Sequence, residues 1–307
     1  MTRKLRIHAP AIVYFDSVRR AGSIREAARR LNVASSAVNR QILKLEEEIG
    51  APLFERLPRG LKLTAAGEIF ARHAIVVLQD TERVRSELDA LKGLRTGHVE
   101  VATVEGVTHD LLPRVIQAMR EQYPKVTLGV ATMGSQAIPN AIASGTADLG
   151  LAFALPRTDE LRQLAVGRFR LGAVVAPDHP LAGLAEVRFA TCAEHTLILA
   201  KPELSIYHLL KRTLDAVGGS RGAIESSSVE LSKELALRGM GVAFQTRIGI
   251  ERELAAGTLV HIPLIANAPI YSDLGVYVRA ERALPVAVDA FARLLAEQIG
   301  EREMNNG

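Results

Sequence analysis

The sequence predicts an α/β protein that carries an amino-terminal, all-α DNA-reading module on a long linker helix. Three patterns predict it. Residues 10–49 place apolar side chains at the helical period, residues 65–92 place them every seven residues, and from Val99 onward short apolar runs alternate with helical segments. The chain has 307 residues, of which 48% are hydrophobic and 23% charged, enough for two or three domains with a substantial core.

The first helix is expected from Pro10 to Arg20, with Ile12, Phe15 and Val18 turned inward and Gly22 ending it. Ser23-Ile24-Arg25-Glu26 reads as a capping box, in which Ser23 accepts from the backbone of Glu26 and Glu26 reaches back. The helix it opens runs to Leu31 and buries Ala27, Ala28 and Leu31. After a turn at Asn32-Val33-Ala34, the next helix lines Val38, Ile42, Leu45 and Ile49 along one face. Its other face offers Ser36, Asn39, Arg40 and Lys44, the hydrogen-bonding and cationic groups that a helix entering a major groove requires. Position 34 is an alanine, so Ser35 or Ser36 is left to cap the helix. Two short extended runs follow, Phe54 to Leu57 and Leu61 to Thr64, around Pro58-Arg59-Gly60. A hairpin there forms the wing of a winged helix–turn–helix and places Arg56 and Arg59 to meet phosphates or a minor groove. The alternative for both arginines is solvation of the turn.

Charge is distributed unevenly. Residues 1–65 hold 13 Lys or Arg against 6 Asp or Glu, whereas the whole chain holds 38 against 34. The amino-terminal module is therefore basic and the remainder net acidic, the footprint of a polyanion-binding domain joined to something else.

From Ala65 to Lys92 one long helix is expected. Phe70, Val77, Val84 and Leu91 recur at intervals of seven, with Ala74, Thr81 and Leu88 between them and charged residues outside the seam. A stripe this narrow on a helix this long points to a dimer interface through Phe70, Val77, Val84, Leu88 and Leu91. Gly93 and Gly97 bracket a short hinge. Beyond it, strands near 99–104, 126–132, 148–153, 172–176, 197–200, 242–245 and 274–278 alternate with helices near 111–122, 138–143, 207–217, 229–238 and 286–299. That alternation implies parallel sheets covered on both faces.

The stretch Ala27-Ala28-Arg29-Arg30-Leu31-Asn32-Val33-Ala34-Ser35-Ser36-Ala37-Val38-Asn39-Arg40-Gln41-Ile42, with Leu45-Glu46, Gly50 and Leu53-Phe54, closely resembles the amino-terminal domain of LysR-type transcriptional regulators. Gly145-Thr146-Ala147-Asp148-Leu149, Asp178-His179-Pro180-Leu181 and Gly239-Met240-Gly241-Val242-Ala243 match landmarks of the same family in order. A hydroxyl residue usual at position 34 is missing here. The resemblance implies a winged helix–turn–helix over residues 1–64, a linker and dimerisation helix over 65–93, and an effector-binding domain over 94–307. That domain is expected to comprise two Rossmann-like subdomains, similar to periplasmic binding proteins: the first about 98–160 and 268–300, the second about 163–266. It further implies a cytoplasmic, ligand-responsive regulator whose partners are promoter operator DNA, a small-molecule effector, its own copies as a dimer or dimer of dimers, and RNA polymerase, with no membrane.

Rival classes find little support. The eight histidines are dispersed with no pair at metal-ligand spacing, no Gly-x-Ser-x-Gly elbow or phosphate loop occurs, and Gly239-x-Gly241 precedes a strand instead of following one. Cys192, the single cysteine, lies three residues before His195, but no further residues complete a catalytic set. The expectation is no enzyme, no cofactor and no metal. A constitutive architectural DNA binder would not need about two hundred residues of cleft-forming α/β structure. No run approaches the roughly 18 apolar residues of a membrane span.

Ligands of such sheets bind beyond the carboxyl ends of strands. The expected effector residues are Thr103, Glu105 and Thr108 after the first strand, Ser135 and Gln136 after the second, and Ser205, Gln245 and Thr246 from the second subdomain. Ser135 is expected to cap a helix whose amides hold an anion, so a carboxylated or zwitterionic metabolite is anticipated. Glu105 is unusual in such a site: it repels an anion, binds an amine or points to solvent.

Overall fold

The computed structural model describes residues 10–58, 60–91, 96–216, 223–266, 268–280 and 283–304. They fall into two compact units, one holding residues 10–91 and 283–285, the other residues 96–280 and 286–304.

The first unit comprises α1 (Pro10–Ala21), α2 (Ile24–Leu31), α3 (Ser35–Ile49), the hairpin β1 (Phe54–Leu57) with β2 (Gly60–Leu63), and α4 (Ala65–Leu91). Its core joins Phe15 and Val18 of α1, Ala27 and Ala28 of α2, Val38, Ile42 and Leu45 of α3, and Ala71 and Ala74 of α4. The alanines let the helices cross closely. Ser23 caps α2 through Glu26 N–H, but the Glu26 carboxylate is taken by Arg29 at 2.8 Å and Arg30 at 3.0 Å. The expected capping box is thus a single cap. Ile49, expected on the buried face of α3, is 40% exposed, because Gly50 ends the helix in a left-handed turn before that residue reaches the core.

Phe70 corrects the reading of α4. It packs edge-on against Phe15 with ring centroids 4.8 Å apart, and Ala71 and Ala74 are buried beside it. The first heptad of the seam is therefore used within its own module. Val77 and Val84 are half-buried and Leu88 is 42% exposed, while the Leu91 side chain lies outside the described residues.

The second unit contains two sheets. The first, in the order β4-β3-β5-β13-β6, uses β3 (Thr96–Thr103), β4 (Lys125–Thr132), β5 (Leu149–Phe153), β6 (Leu161–Arg170) and β13 (Tyr271–Arg279). It carries α5 (Leu111–Gln122), α6 (Ile138–Ala143) and α11 (Val286–Met304). The second has the order β11-β7-β12-β8, from β7 (Gly172–Val175), β8 (Val187–Arg188), β11 (Ala243–Gln245) and β12 (Val260–Ile265). Beside it lie the parallel pair β9 (Leu197–Ala200) and β10 (Ala223–Ser226), reached through a bridge from Leu197 to Val242. The helices α7 (Phe189–Cys192), α8 (Ser205–Ala216), α9 (Val229–Leu237) and α10 (Glu251–Ala255) complete this half.

Neither sheet is the all-parallel one expected. β13 runs antiparallel to both β5 and β6, and β7 is antiparallel to β11 and β12. The long connections return each chain segment into the sheet from the opposite end. Since β6 pairs along its length with β13, residues 163–170 belong to the first half, and the expected start of the second subdomain at 163 moves to Leu171.

The chain crosses between the halves at two adjacent points. Leu171, fully buried, donates its N–H to Ile270 O at 2.8 Å and accepts from Leu264 N at 2.9 Å, so the outgoing and returning strands are laced together. Paired backbone crossings of this sort leave the halves a common hinge and a cleft beside it. Among the described residues no helix is long and apolar enough to cross a membrane.

Candidate functional sites

In the amino-terminal unit the candidate recognition residues lie on the solvent face of α3. Ser35, Ser36, Arg40 and Lys44 are exposed and Asn39 is half-buried, all on the side away from Val38, Ile42 and Leu45. Ala34 occupies the cap position with no side-chain bond, so neither serine takes over capping as expected. The leading amides of α3 are left without a side-chain acceptor, an arrangement that favours a phosphate at the helix amino terminus. Lys44 is only loosely held by Glu48 at 3.7 Å, which leaves it able to turn toward a polyanion.

The hairpin is fastened in two ways. Glu46 of α3 accepts the N–H groups of Leu53 at 2.7 Å and Phe54 at 3.2 Å. Leu61 N donates to Gly22 O at 2.8 Å, and a Cβ on Gly60 would stand 2.7 Å from that same oxygen. The wing is consequently fixed to the α1–α2 turn, with Arg56 exposed on it. Arg59 lies outside the described residues.

In the second unit a small cavity of about 30 Å³ opens beside the crossings, between the two halves. Of the expected effector residues it collects Glu105, Ser135, Ser205, Gln245 and Thr246. Three others lie elsewhere. Thr103 is fully buried with its hydroxyl turned to Val104 O, Thr108 bonds Glu105 O at 2.6 Å, and Gln136 is exposed beside His208 at 3.4 Å. Thr103 and Thr108 bond nearby backbone carbonyls, which strand-end position alone does not reveal. Gln245 is itself committed, donating to Ile248 O at 2.8 Å.

Ser135 departs from expectation in one respect. The cap position of its turn is Gly134, with no side-chain bond, and Ser135 opens a single 3₁₀ turn before α6. It lines the cavity although only 3% exposed. α6 reaches this position because Gly150 of β5 lets it approach: a Cβ there would stand 2.5 Å from Ile138. Sequence reasoning missed Ser272 of β13, Phe153 of β5, and Leu204, Ile206 and Ile248, all lining the cavity. Ser272 carries no motif, and only the antiparallel register of β13 brings it there.

The role of Glu105 is resolved by geometry. Its carboxylate accepts from Ser228 Oγ at 3.0 Å, Val229 N at 2.7 Å and Glu230 N at 3.4 Å. Ser228 is the N-cap of α9, its Oγ accepting from Leu231 N at 3.1 Å, and Glu105 of the first half adds a carboxylate at the positive end of that helix. A further contact joins the halves around it, His109 meeting Glu230 at 2.7 Å, and within the second half the nearly buried Lys233 holds Glu230 and Glu253, each at 2.9 Å. Burial opposes the Lys233 charge, but the two carboxylates outweigh it and raise its pKa. On the far side Arg302 of α11 bonds Asp110 at the start of α5 and faces Glu251 of α10 at 3.5 Å. Burial works against ionised Asp110 as well, yet hydrogen bonds from Arg114 and Arg302 hold its carboxyl below the usual range.

Cys192 offers no nucleophile. It is fully buried, and desolvation pushes its thiol up to about 12, so the reactive thiolate is suppressed.

These features define a two-part regulator: a winged helix–turn–helix reader joined by a long helix to a hinged, two-lobed α/β sensor. Residues 10–68 match the model of the bacterial regulatory helix-turn-helix protein, lysR family, and residues 92–300 match the LysR substrate binding domain. The chain belongs to the LysR family of transcriptional regulators. Among relatives, it is 28% identical over 296 residues to the HTH-type transcriptional regulator CbbR of Rhodospirillum rubrum, covering 96% of this chain and 98% of that protein. It is 27% identical over 274 residues to the RuBisCO operon transcriptional regulator of Allochromatium vinosum, covering 89% and 90%. Its fold is similar to a full-length OxyR variant from Pseudomonas aeruginosa (TM-score 0.76, 20% identity, 93% of this chain and 96% of that one). It is also similar to full-length CbnR complexed with its target DNA (TM-score 0.53, 21% identity, 94% and 98%).

Proposed function

We propose that this regulator reads an operator through Ser35, Ser36, Asn39, Arg40 and Lys44 of α3 with Arg56 and Arg59 of the wing, and takes its effector in the cleft beside the crossings. The observation that carries the reading is the pairing of an uncapped, cation-bearing α3 with a cavity whose walls come from both lobes of a hinged domain. A ligand touching both lobes binds one lobe arrangement better than another, and that differential affinity is what shifts the DNA-bound assembly. CbnR, solved with target DNA, has the same fold and supports the DNA-reading role. Pairing of copies through Val77, Val84, Leu88 and Leu91 of α4 supplies two readers for two half-sites, as a dimer or dimer of dimers. Action in the cytoplasm at promoters, with RNA polymerase as the final partner, completes the reading. The protein does this as a sensor and not as an enzyme, in keeping with the buried, neutral Cys192.

One relative in fold, OxyR of Corynebacterium glutamicum, was solved with hydrogen peroxide bound. Peroxide sensing through a thiolate is disfavoured here by that same buried thiol. The test is selection of genomic DNA fragments by the full-length protein, followed by footprinting on the recovered sites with and without pooled cell metabolites. Sequence-specific protection that changes with metabolites is expected. Protection indifferent to sequence, or never altered by any metabolite fraction, would overturn the reading.

A further inference from the structure

We infer that the cleft takes a small, uncharged, mainly apolar molecule bearing one or two hydrogen-bonding groups, and that it discriminates against carboxylates. The inference rests on the assignment of the cleft as the effector site and specifies what that site selects.

Charge comes first. Among the described residues lining the cavity there is no Lys, Arg or His, and Glu105 is the one ionisable side chain. A carboxylate entering this space would lose hydration, find no counter-cation and face the charge of Glu105. Two longer helices point their amino termini at this space: that of α9 is occupied by Glu105, which accepts from Ser228, Val229 and Glu230, and that of α8 enters through Ser205 with no cation beside it. With three donors, Glu105 is equally not in search of an amine.

The walls make the complementary point. Phe153, Leu204, Ile206 and Ile248 supply apolar surface from both lobes. Of the polar side chains that line the cavity, Glu105 and Gln245 are already committed to protein partners, and one, Ser272, is orphaned. Ser272 is only 2% exposed, and its Oγ has no hydrogen-bond partner. Most buried hydroxyls have a hydrogen-bond partner, so an orphan lining a cavity is open to a hydrogen-bonding atom that enters it, from a ligand or from water. Ser135, also a hydroxyl residue, lines the same space. A neutral hydroxyl or carbonyl on an apolar frame satisfies these groups without bringing charge.

Benzyl alcohol and benzoate, nearly equal in size, separate the alternatives when titrated calorimetrically into the full-length protein at neutral pH. Benzyl alcohol is expected to bind about tenfold or more tightly than benzoate, a difference of about 1.4 kcal/mol. Ser272→Ala should weaken it several-fold, and Ser205→Phe, at the first residue of α8, should block it. Tighter benzoate binding that Ser205→Phe abolishes would overturn the charge inference while the cleft assignment stood. Binding of both probes unchanged by Ser272→Ala and Ser205→Phe would overturn the cleft assignment itself. Benzyl alcohol showing no binding up to its solubility would overturn the inference, leaving the cleft to be judged by footprinting.

Discussion

The Glu105 carboxylate accepts the N–H of Val229 at 2.7 Å across 124 residues of sequence, so one lobe of the sensor completes a helix of the other. Glu105→Ala removes the acceptor of the Val229 and Glu230 N–H groups, leaves the Ser228 cap on Leu231 in place, and breaks this tie. It should cost about 1–2 kcal/mol, the usual worth of a helix cap. Hydrogen exchange at Val229 and Glu230 should accelerate. An unchanged unfolding midpoint together with unchanged exchange would show that the cap is not formed in solution.

On the DNA-reading face, Arg40 and Arg56 should behave differently. Arg40→Ala should cost about 1–3 kcal/mol at the cognate site if the guanidinium pairs with a guanine edge, and less at unrelated sequences. Arg56→Ala should weaken all duplexes alike and lower the salt slope of binding by about one. Gel-shift titrations over a range of salt check both. Equal losses on every sequence for both variants would place base reading elsewhere.

The surviving part of the α4 stripe gives a third prediction. Val77→Asp with Val84→Asp should dissociate the oligomer in sedimentation velocity, since paired copies would bury unpartnered carboxylates at a cost of several kcal/mol. Circular dichroism of the variant should show the α/β lobes still folded. Phe70→Asp should instead unfold the DNA-reading module, because Phe70 packs on Phe15 within it. An oligomer unaffected by the double change would mean that the seam packs only within its own chain.

His261 supplies a pH prediction. Burial lowers its pKa from 6.5 to about 4, against the pull of the Gln245 carbonyl that its ring meets at 3.1 Å, and Arg247 adds to the lowering. The unfolded chain therefore protonates first as the pH falls. The contribution of the neutral ring is complete above about pH 6.5 and is lost between there and about pH 4, with a ceiling of about 3 kcal/mol. Denaturant melts at pH 7 and pH 5 should show wild type losing more stability than His261→Gln. Equal losses would place the acid sensitivity on other groups.

What was legible in the sequence was local. Helical period, turn residues and heptads placed α1 to α4 within a residue or two, because those elements are held by neighbours a few positions away. The α3 face was readable for the same reason: Ser36, Asn39, Arg40 and Lys44 share one side of a single helix. Part of the cleft followed from strand ends, which fix Glu105, Ser135 and Gln245 by position alone. The rest was decided by tertiary structure. β6 carries Arg162, Gln163 and Arg168, too polar a run to read as a strand, and exists because β13 pairs with it from more than a hundred residues away. Phe70 fits a heptad as well as it fits a core, and only the presence of Phe15 beneath it chose between them. Ser272 has no local signature, and its orphaned hydroxyl came to light only when an antiparallel register set it against the cavity. Sequence period encodes what a residue turns toward, but what waits there is settled by long-range pairing, which no local pattern records.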